Sequence, residues 1–230
     1  MRLTQQTMDI PSHALTNSRD CLPAGVTLGW LQVDDSGLEV HASETGLQVI
    51  QDAMHPRRRR EFIAGRLAAR AALAQAGATE LTVGRNGPAP TWPSGWCGSI
   101  AHAAGRAVAV AGRSPPWHAL GVDLEGAPDA SAIAGFHVAL TGPELQHCRE
   151  SHDPLVWASV WAAKEAAYKC VSAIGLELPF VSLETHWDNA DVGGVRIARD
   201  DLSCDIRVRC CTVDGLRLAV ASVAGPGVRA

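Results

Sequence analysis

The chain has 230 residues, 47% of them hydrophobic and 19% charged, with a formal net charge of -4 at pH 7. That length supports one large domain or two small ones, each with a real core. The acidic balance excludes nucleic-acid binding by overall field alone. No apolar run approaches the roughly 20 residues that span a bilayer.

The opening stretch, "MRLTQQTMDIPSHALTNSRD" (1–20), has neither an apolar segment nor any periodicity, so it reads as a loose extension and not as a secretion signal. Seven cysteines stand at 21, 97, 148, 170, 204, 210 and 211 without a CxxC pair. They indicate neither a zinc site nor a disulfide framework, and a reducing cytoplasm is the simplest setting. "VTLGWLQV" (26–33) predicts a strand, and "RRREFIAGRLAARAALAQAG" (58–77) a helix that Gly77 ends. "GRNGPAPTWPSGWCG" (84–98), with four Gly and three Pro, predicts a loop. "RAVAVAGR" (106–113) and "HALGVDLE" (118–125) follow as strands joined through "SPP".

In the second half "TGPE" (141–144) is a capping box that opens a short helix. Asp153 and Pro154 form an N-cap and first-turn pair for a long helix containing "WAAKEAAYK" (161–169). "VGGVRIA", "CDIRVRCCTV" and "LRLAVASVA" read as strands, the last two joined by an Asp214-Gly215 hairpin turn. "LGWLQV" (28–33) and "LGVDLE" (120–125) each precede a long Ala-rich helix and a closing hairpin, a pseudo-repeat that would leave a cleft between halves.

Asp123 and Glu125 lie two apart on a predicted strand, so both side chains share one face with Cα atoms roughly 6–7 Å apart. Such carboxylates repel unless a cation or proton intervenes; a wet edge strand is the plain alternative. On the long helix, Val156, Val160, Ala163, Ala167 and Val171 form an apolar stripe, with Trp157, Trp161 and Tyr168 beside it. Glu165 lies at the margin of the aromatic stripe, and Lys164 lies between the two stripes. The plain alternative for Glu165 is an i,i+4 pair with Lys169. Asp123, Glu125 and Glu165 together supply the oxygen donors a hard cation such as Mg²⁺ takes.

Arg57 to Arg60 are consecutive at a helix start, where the macrodipole disfavours cations, and Arg66 and Arg70 repel at i,i+4. Arg59, Arg66 and Arg70 share a face. Either a polyanion binds there or the face is simply solvated. A phosphorylated small molecule fits better than nucleic acid, because no aromatic residues interleave with the cations. His102 follows the Gly-rich segment in "GSIAH", where an imidazole can donate to phosphate.

"GVDLE" (121–125) followed by "WAAKEAAYK" (161–169) resembles the paired signature of the 4'-phosphopantetheinyl transferases. "EFIAGRLAARAAL" (61–73) and "GPAPTWPSGWCGSIAH" (87–102) look like further blocks of its siderophore-synthetase, enterobactin-type branch. The resemblance implies an α+β fold, a pseudo-dimer of two similar halves, each a small antiparallel sheet packed on a long helix, with the active site in the cleft between them. The boundaries expected on that plan are an extension at 1–20, one half at 21–115 and the other at 116–230. The implied reaction moves the phosphopantetheine arm of coenzyme A to a serine of an apo acyl or peptidyl carrier protein, releasing adenosine 3',5'-bisphosphate. The family pattern gives Asp123, Glu125 and Glu165 to Mg²⁺ (or Mn²⁺). It makes Glu165 the agent that deprotonates the serine, and it gives Lys164 and Lys169 to phosphate neutralisation, with Lys169 assisting the leaving group. His102 would contact phosphate. Arg85 and an Arg of 57–66, with Arg58 and Arg66 the candidates, would hold the nucleotide end.

Two departures are Ala101 and Ala162, where many relatives carry Ser. The implied enzyme is a cytoplasmic monomer. The competing readings are a Mg²⁺-dependent phosphohydrolase, which needs no protein acceptor, and a catalytically silent coenzyme A- or carrier-binding protein, against which the intact carboxylates speak.

Overall fold

The computed structural model describes residues 19–33, 55–151, 153–189, 191–197, 203–204, 206–225 and 228–229. In chain order these form β1 (Thr27–Gln32), α1 (Pro56–Gln75), β2 (Gly84–Asn86), β3 (Ala89–Thr91), β4 (Trp96–Ala103), β5 (Arg106–Arg113) and β6 (Trp117–Glu125). The helices α2 (Ala130–Phe136), α3 (Gly142–Glu150) and α4 (Leu155–Ala173) follow. The chain then runs through β7 (Leu183–Trp187), β8 (Val192–Ile197), β9 (Ser203–Cys204), β10 (Ile206–Val213), β11 (Leu216–Ala224) and β12 (Val228–Arg229). The expected extension at 1–20 lies outside the described residues except for Arg19 and Asp20, which begin a short 3-10 turn.

Two antiparallel sheets carry the fold. The first has strand order β1-β5-β4, the second β6-β11-β10-β8-β7. In the first, Thr27, Gly29 and Leu31 face α1, whereas Leu28 and Trp30 point the other way, as strand alternation requires. In the second, Ala119, Gly121 and Asp123 face α4, and Leu120, Val122 and Leu124 point away. The faces turned away from the helices meet in a shared core of Leu28, Trp30, Val108, Val110, Leu120, Val122, Leu218 and Val220.

The pseudo-repeat is visible at two glycines. A methyl group at Gly29 would sit 1.9 Å from the Ala68 carbonyl oxygen of α1, and one at Gly121 would sit 1.9 Å from the Ala166 carbonyl oxygen of α4. Each helix therefore lies directly on its strand, where only glycine leaves room. Both helices also end alike: Gly77 and Gly175 have φ of 79° and 80°, and the next N–H returns to the carbonyl of Leu73 or Val171. Tight turns at Ala104-Gly105 and Asp214-Gly215, all four residues at positive φ, close the two equivalent hairpins.

Three local expectations change. The segment expected as a loop at 84–98 contains the β2–β3 hairpin, turned at Gly87, and the start of β4. Pro90 is tolerated because β3 lies in a two-stranded hairpin with open edges. Strand β7 has no counterpart among the elements expected from the sequence. The cap of α4 is Pro154, one residue later than expected, although Asp153 Oδ1 still accepts from the Leu155 N–H at 2.8 Å.

Candidate active site

Strand β6 presents Asp123 and Glu125 on the face that α4 covers. Lys169 of α4 reaches back across this face, donating to Asp123 Oδ1 at 2.7 Å and to the Val122 carbonyl at 3.0 Å. Asp123 Oδ2 is buried and has no hydrogen-bond partner. Burial raises the Asp123 pKa, and the Lys169 ammonium opposes that rise. Burial, then the charges of Asp123 and Glu165, push Glu125 up to about 7. Glu165 is raised by burial and then by Asp123, with Lys169 opposing. Three carboxylates thus repel one another across the β6–α4 junction, with the Lys169 ammonium among them.

The opposite wall comes from the first half. Residues at i, i+4 and i+8 of α1 place Arg58, Phe62 and Arg66 on one face. Arg66 is buried; its Nη2 donates to the Gly84 carbonyl at 3.0 Å and its guanidinium lies 4.7 Å from the Phe62 ring centroid. Its Nε is buried without a partner. Burial, then the neighbouring Arg85, lowers its pKa to about 10. The β2–β3 hairpin supplies Arg85, Pro88 and Pro90, and β4 supplies Ile100, Ala101 and His102. Gly65 lets α1 close on β4, since a methyl there would meet Ile100 Cγ2 at 2.8 Å and His102 Nε2 at 3.1 Å. Burial lowers the His102 pKa, with Glu61 opposing.

These groups enclose a cavity of about 280 Å³ lined by Arg58, Phe62, Arg66, Arg85, Pro88, Pro90, Ile100, Ala101, His102, Asp123 and Lys169. Residues far apart in the chain and belonging to both halves therefore share one wall of cations and one acidic end. Ala101 lies in this lining, so the hydroxyl common in the resembling family is missing from the cavity itself.

The donor set suits a hard divalent cation in chemistry: the unpartnered Asp123 Oδ2 and the mutually raised carboxylates are what such an ion would satisfy. As they stand, no three His, Cys, Asp or Glu side chains among the described residues converge closely enough to enclose one.

Lys164 requires a correction. The family pattern has it facing phosphate, but its side chain is fully buried and its Nζ donates to Glu144 Oε2 at 2.6 Å. The same carboxylate accepts from the Thr141 N–H at 2.7 Å and from the Thr185 N–H and hydroxyl at 2.8 and 2.9 Å. Lys164 thus joins α4 to α3 and β7 inside the second half, because an ammonium without water needs a buried carboxylate. The stripe expected from Arg59, Arg66 and Arg70 also separates: only Arg66 of the three lines the cavity, joined there by Arg58. Lys169 pairs with Asp123, not in the i,i+4 bridge to Glu165. Sequence reasoning missed Phe62 and Glu144. The signal for Glu144 was Lys164 itself, a lysine between two apolar stripes with no local partner.

A family model described as the 4'-phosphopantetheinyl transferase N-terminal domain matches residues 47–112, and the 4'-phosphopantetheinyl transferase superfamily model matches 119–221. The chain is 30% identical over 180 residues to 4'-phosphopantetheinyl transferase Npt of Nocardia iowensis, covering 75% of this chain and 79% of the relative. The chain belongs to the 4'-phosphopantetheinyl transferase superfamily. It is also 36% identical over 118 residues to PptT of Mycobacterium tuberculosis, across 49% of this chain and 51% of that one. Enterobactin synthase component D of Salmonella typhi shares 31% over 119 residues, 50% of this chain and 49% of that one, which supports the siderophore-associated branch. Membership makes the chain a 4'-phosphopantetheinyl transferase with coenzyme A as substrate. Among the described residues no helix is long and apolar enough to cross a membrane.

Proposed function

We propose that the chain transfers the 4'-phosphopantetheine arm of coenzyme A to a serine of an apo peptidyl carrier protein, of the kind used by nonribosomal peptide or siderophore synthetases, and releases adenosine 3',5'-bisphosphate. The observation that carries this reading is the cavity that sets Arg58, Arg66, Arg85 and His102 opposite Asp123 and Lys169. Similarity to enterobactin synthase component D supports the choice of carrier.

In this reading Arg58, Arg66 and Arg85 hold the phosphates of the nucleotide end, and His102 donates to one of them. Arg66 is suited to the task because burial has already removed its water, so an incoming phosphate meets a guanidinium with an unused N–H. Asp123, Glu125 and Glu165 would hold Mg²⁺ (or Mn²⁺), which supplies charge neutralisation on the pyrophosphate when bound. Glu165 takes the proton of the carrier serine, directly or through water. The serine oxygen attacks the phosphorus that bears the pantetheine arm. The bond from that phosphorus to the bridging oxygen breaks, and Lys169 neutralises the charge left on the departing bisphosphate. Positioning and charge neutralisation suffice for phosphoryl transfer, so no covalent enzyme intermediate is needed. Both walls of the cavity come from one chain, which fits a monomer, and cysteine spacing without a disulfide framework fits the cytoplasm.

Intact-protein mass spectrometry of apo peptidyl carrier protein, incubated with the enzyme, coenzyme A and Mg²⁺, tests the reading. The expected result is a gain of one phosphopantetheine arm, at least ~10³-fold slower with Glu165→Gln. A gain confined to acyl carriers of fatty-acid or polyketide systems overturns the peptidyl assignment, and an unimpaired Glu165→Gln enzyme overturns the role of Glu165.

A further inference from the structure

The 3-10 turn at Arg19–Cys21 and strand β10 meet through two sulfur atoms. Cys211 Sγ donates to Cys21 Sγ at 2.8 Å, across 190 positions of sequence. A disulfide bond is about 2.05 Å long, so the two atoms stand less than about 1 Å from bonding distance. Strand alternation selects this cysteine over its neighbour: Cys210 points into the core beneath α4, whereas Cys211 packs against the core shared by the two sheets, to which Cys21 belongs. The turn is held in place nearby, with Trp117 Nε1 donating to the Ala24 carbonyl at 3.2 Å and the Val26 N–H to the Pro23 carbonyl at 3.1 Å.

We propose that Cys21 and Cys211 form a covalent modification site, closed by a peroxide oxidant into an intramolecular disulfide that clamps the start of the first half to the sheet of the second. Cys21 is fully buried and Cys211 partly exposed, so the oxidant reaches Cys211 first. The contact with Cys211 and burial push the Cys21 thiol pKa up. Cys211 loses its proton and its sulfur attacks a peroxide oxygen; the O–O bond breaks, giving a sulfenic acid and one water. The Cys21 sulfur then displaces the hydroxyl, which leaves with the Cys21 proton as a second water. Two thiols have lost two electrons and hydrogen peroxide has gained them.

The test uses the purified full chain treated with hydrogen peroxide and, separately, with a reducing agent. Oxidation is expected to remove the mass of two hydrogen atoms, reversibly, and to join the tryptic peptides carrying Cys21 and Cys211. Residues 210–217 form one tryptic peptide with both adjacent thiols, so fragmentation between them assigns the sulfur in the unaltered protein. The loop closed is long, so the thermal midpoint should rise by at least about 5 °C on oxidation, an increase lost in Cys211→Ser and kept in Cys97→Ser. Pairing through Cys210, pairing between molecules, or oxidation of Cys211 to a sulfinic acid with Cys21 still a thiol would each overturn the proposal.

Discussion

Aligning the two halves on Gly29–Ala68 and Gly121–Ala166 matches β1 with β6 and α1 with α4 around each close contact. Two and four positions beyond each glycine stand Leu31 and Val33 in the first half, Asp123 and Glu125 in the second. On the helices, Leu67 and Ala71 match Glu165 and Lys169. Leu31, Val33 and Leu67 close an apolar cluster with Ile63, Ala64 and Ala107. The same backbone arrangement thus makes a partly buried apolar patch in one half and a charged wall in the other, by exchange of four side chains. The charged version carries its cost in raised carboxylate pKa values, and the apolar version shows what the scaffold does without that burden. The helix cations differ too: Arg66 and Lys164 are equivalent, yet Arg66 lines the cavity and Lys164 is locked to Glu144.

That last contrast gives the largest expected effect. Lys164→Met leaves the Glu144 carboxylate buried without its cation and should cost about 3–5 kcal/mol in urea unfolding. Arg66→Met should cost only about 1 kcal/mol while raising the coenzyme A KM. Equal stability losses would erase the distinction. Next come the glycines. Gly29→Ala and Gly121→Ala each force a helix off its strand and should destabilise by about 3 kcal/mol, but only Gly121→Ala shifts the strand bearing Asp123 and Glu125. Residual activity should therefore fall much further in the second variant than in the first, at a temperature where both are folded.

A smaller effect concerns pH. The folded pKa of Glu125 is raised from 4.5 to about 7, so the folded state binds more protons between those values and stability falls as pH rises through that window. The site is half exposed, and solvent screening limits the loss to about 1 kcal/mol. Glu125→Val, which installs the residue found at the equivalent Val33, should remove that part of the slope in metal-free unfolding measured at pH 5 and pH 8; an unchanged slope would refute the assignment. The smallest effect separates adjacent arginines. Arg57 is exposed and pairs with Glu61 at 3.1 Å, so Arg57→Ala should alter stability by less than about 0.5 kcal/mol and leave the coenzyme A KM unchanged, whereas Arg58→Ala should raise it.

Much of this was legible along the chain. The period of two on β6 put Asp123 and Glu125 on one face, and the apolar stripe of α4 placed Val160, Ala163, Ala167 and Val171 in the core. The Thr141–Glu144 capping box and the Asp214-Gly215 turn formed where their residue types dictate. These features depend on neighbours within a few residues, whose geometry the backbone period fixes. The partners of the long charged side chains were not legible. Glu144 serves its own cap and also Lys164, 20 residues away, and Lys169 passes over the nearby Glu165 for Asp123, 46 residues away. A flexible cation has several carboxylates within reach, and only the packing of helix on sheet decides which of them loses its water and must be paired. Local residue patterns were enough to set the elements, their faces and the chemical types of the site. Which cation entered the cavity and which was buried fell to the assembled fold, because desolvation depends on everything packed around a charge.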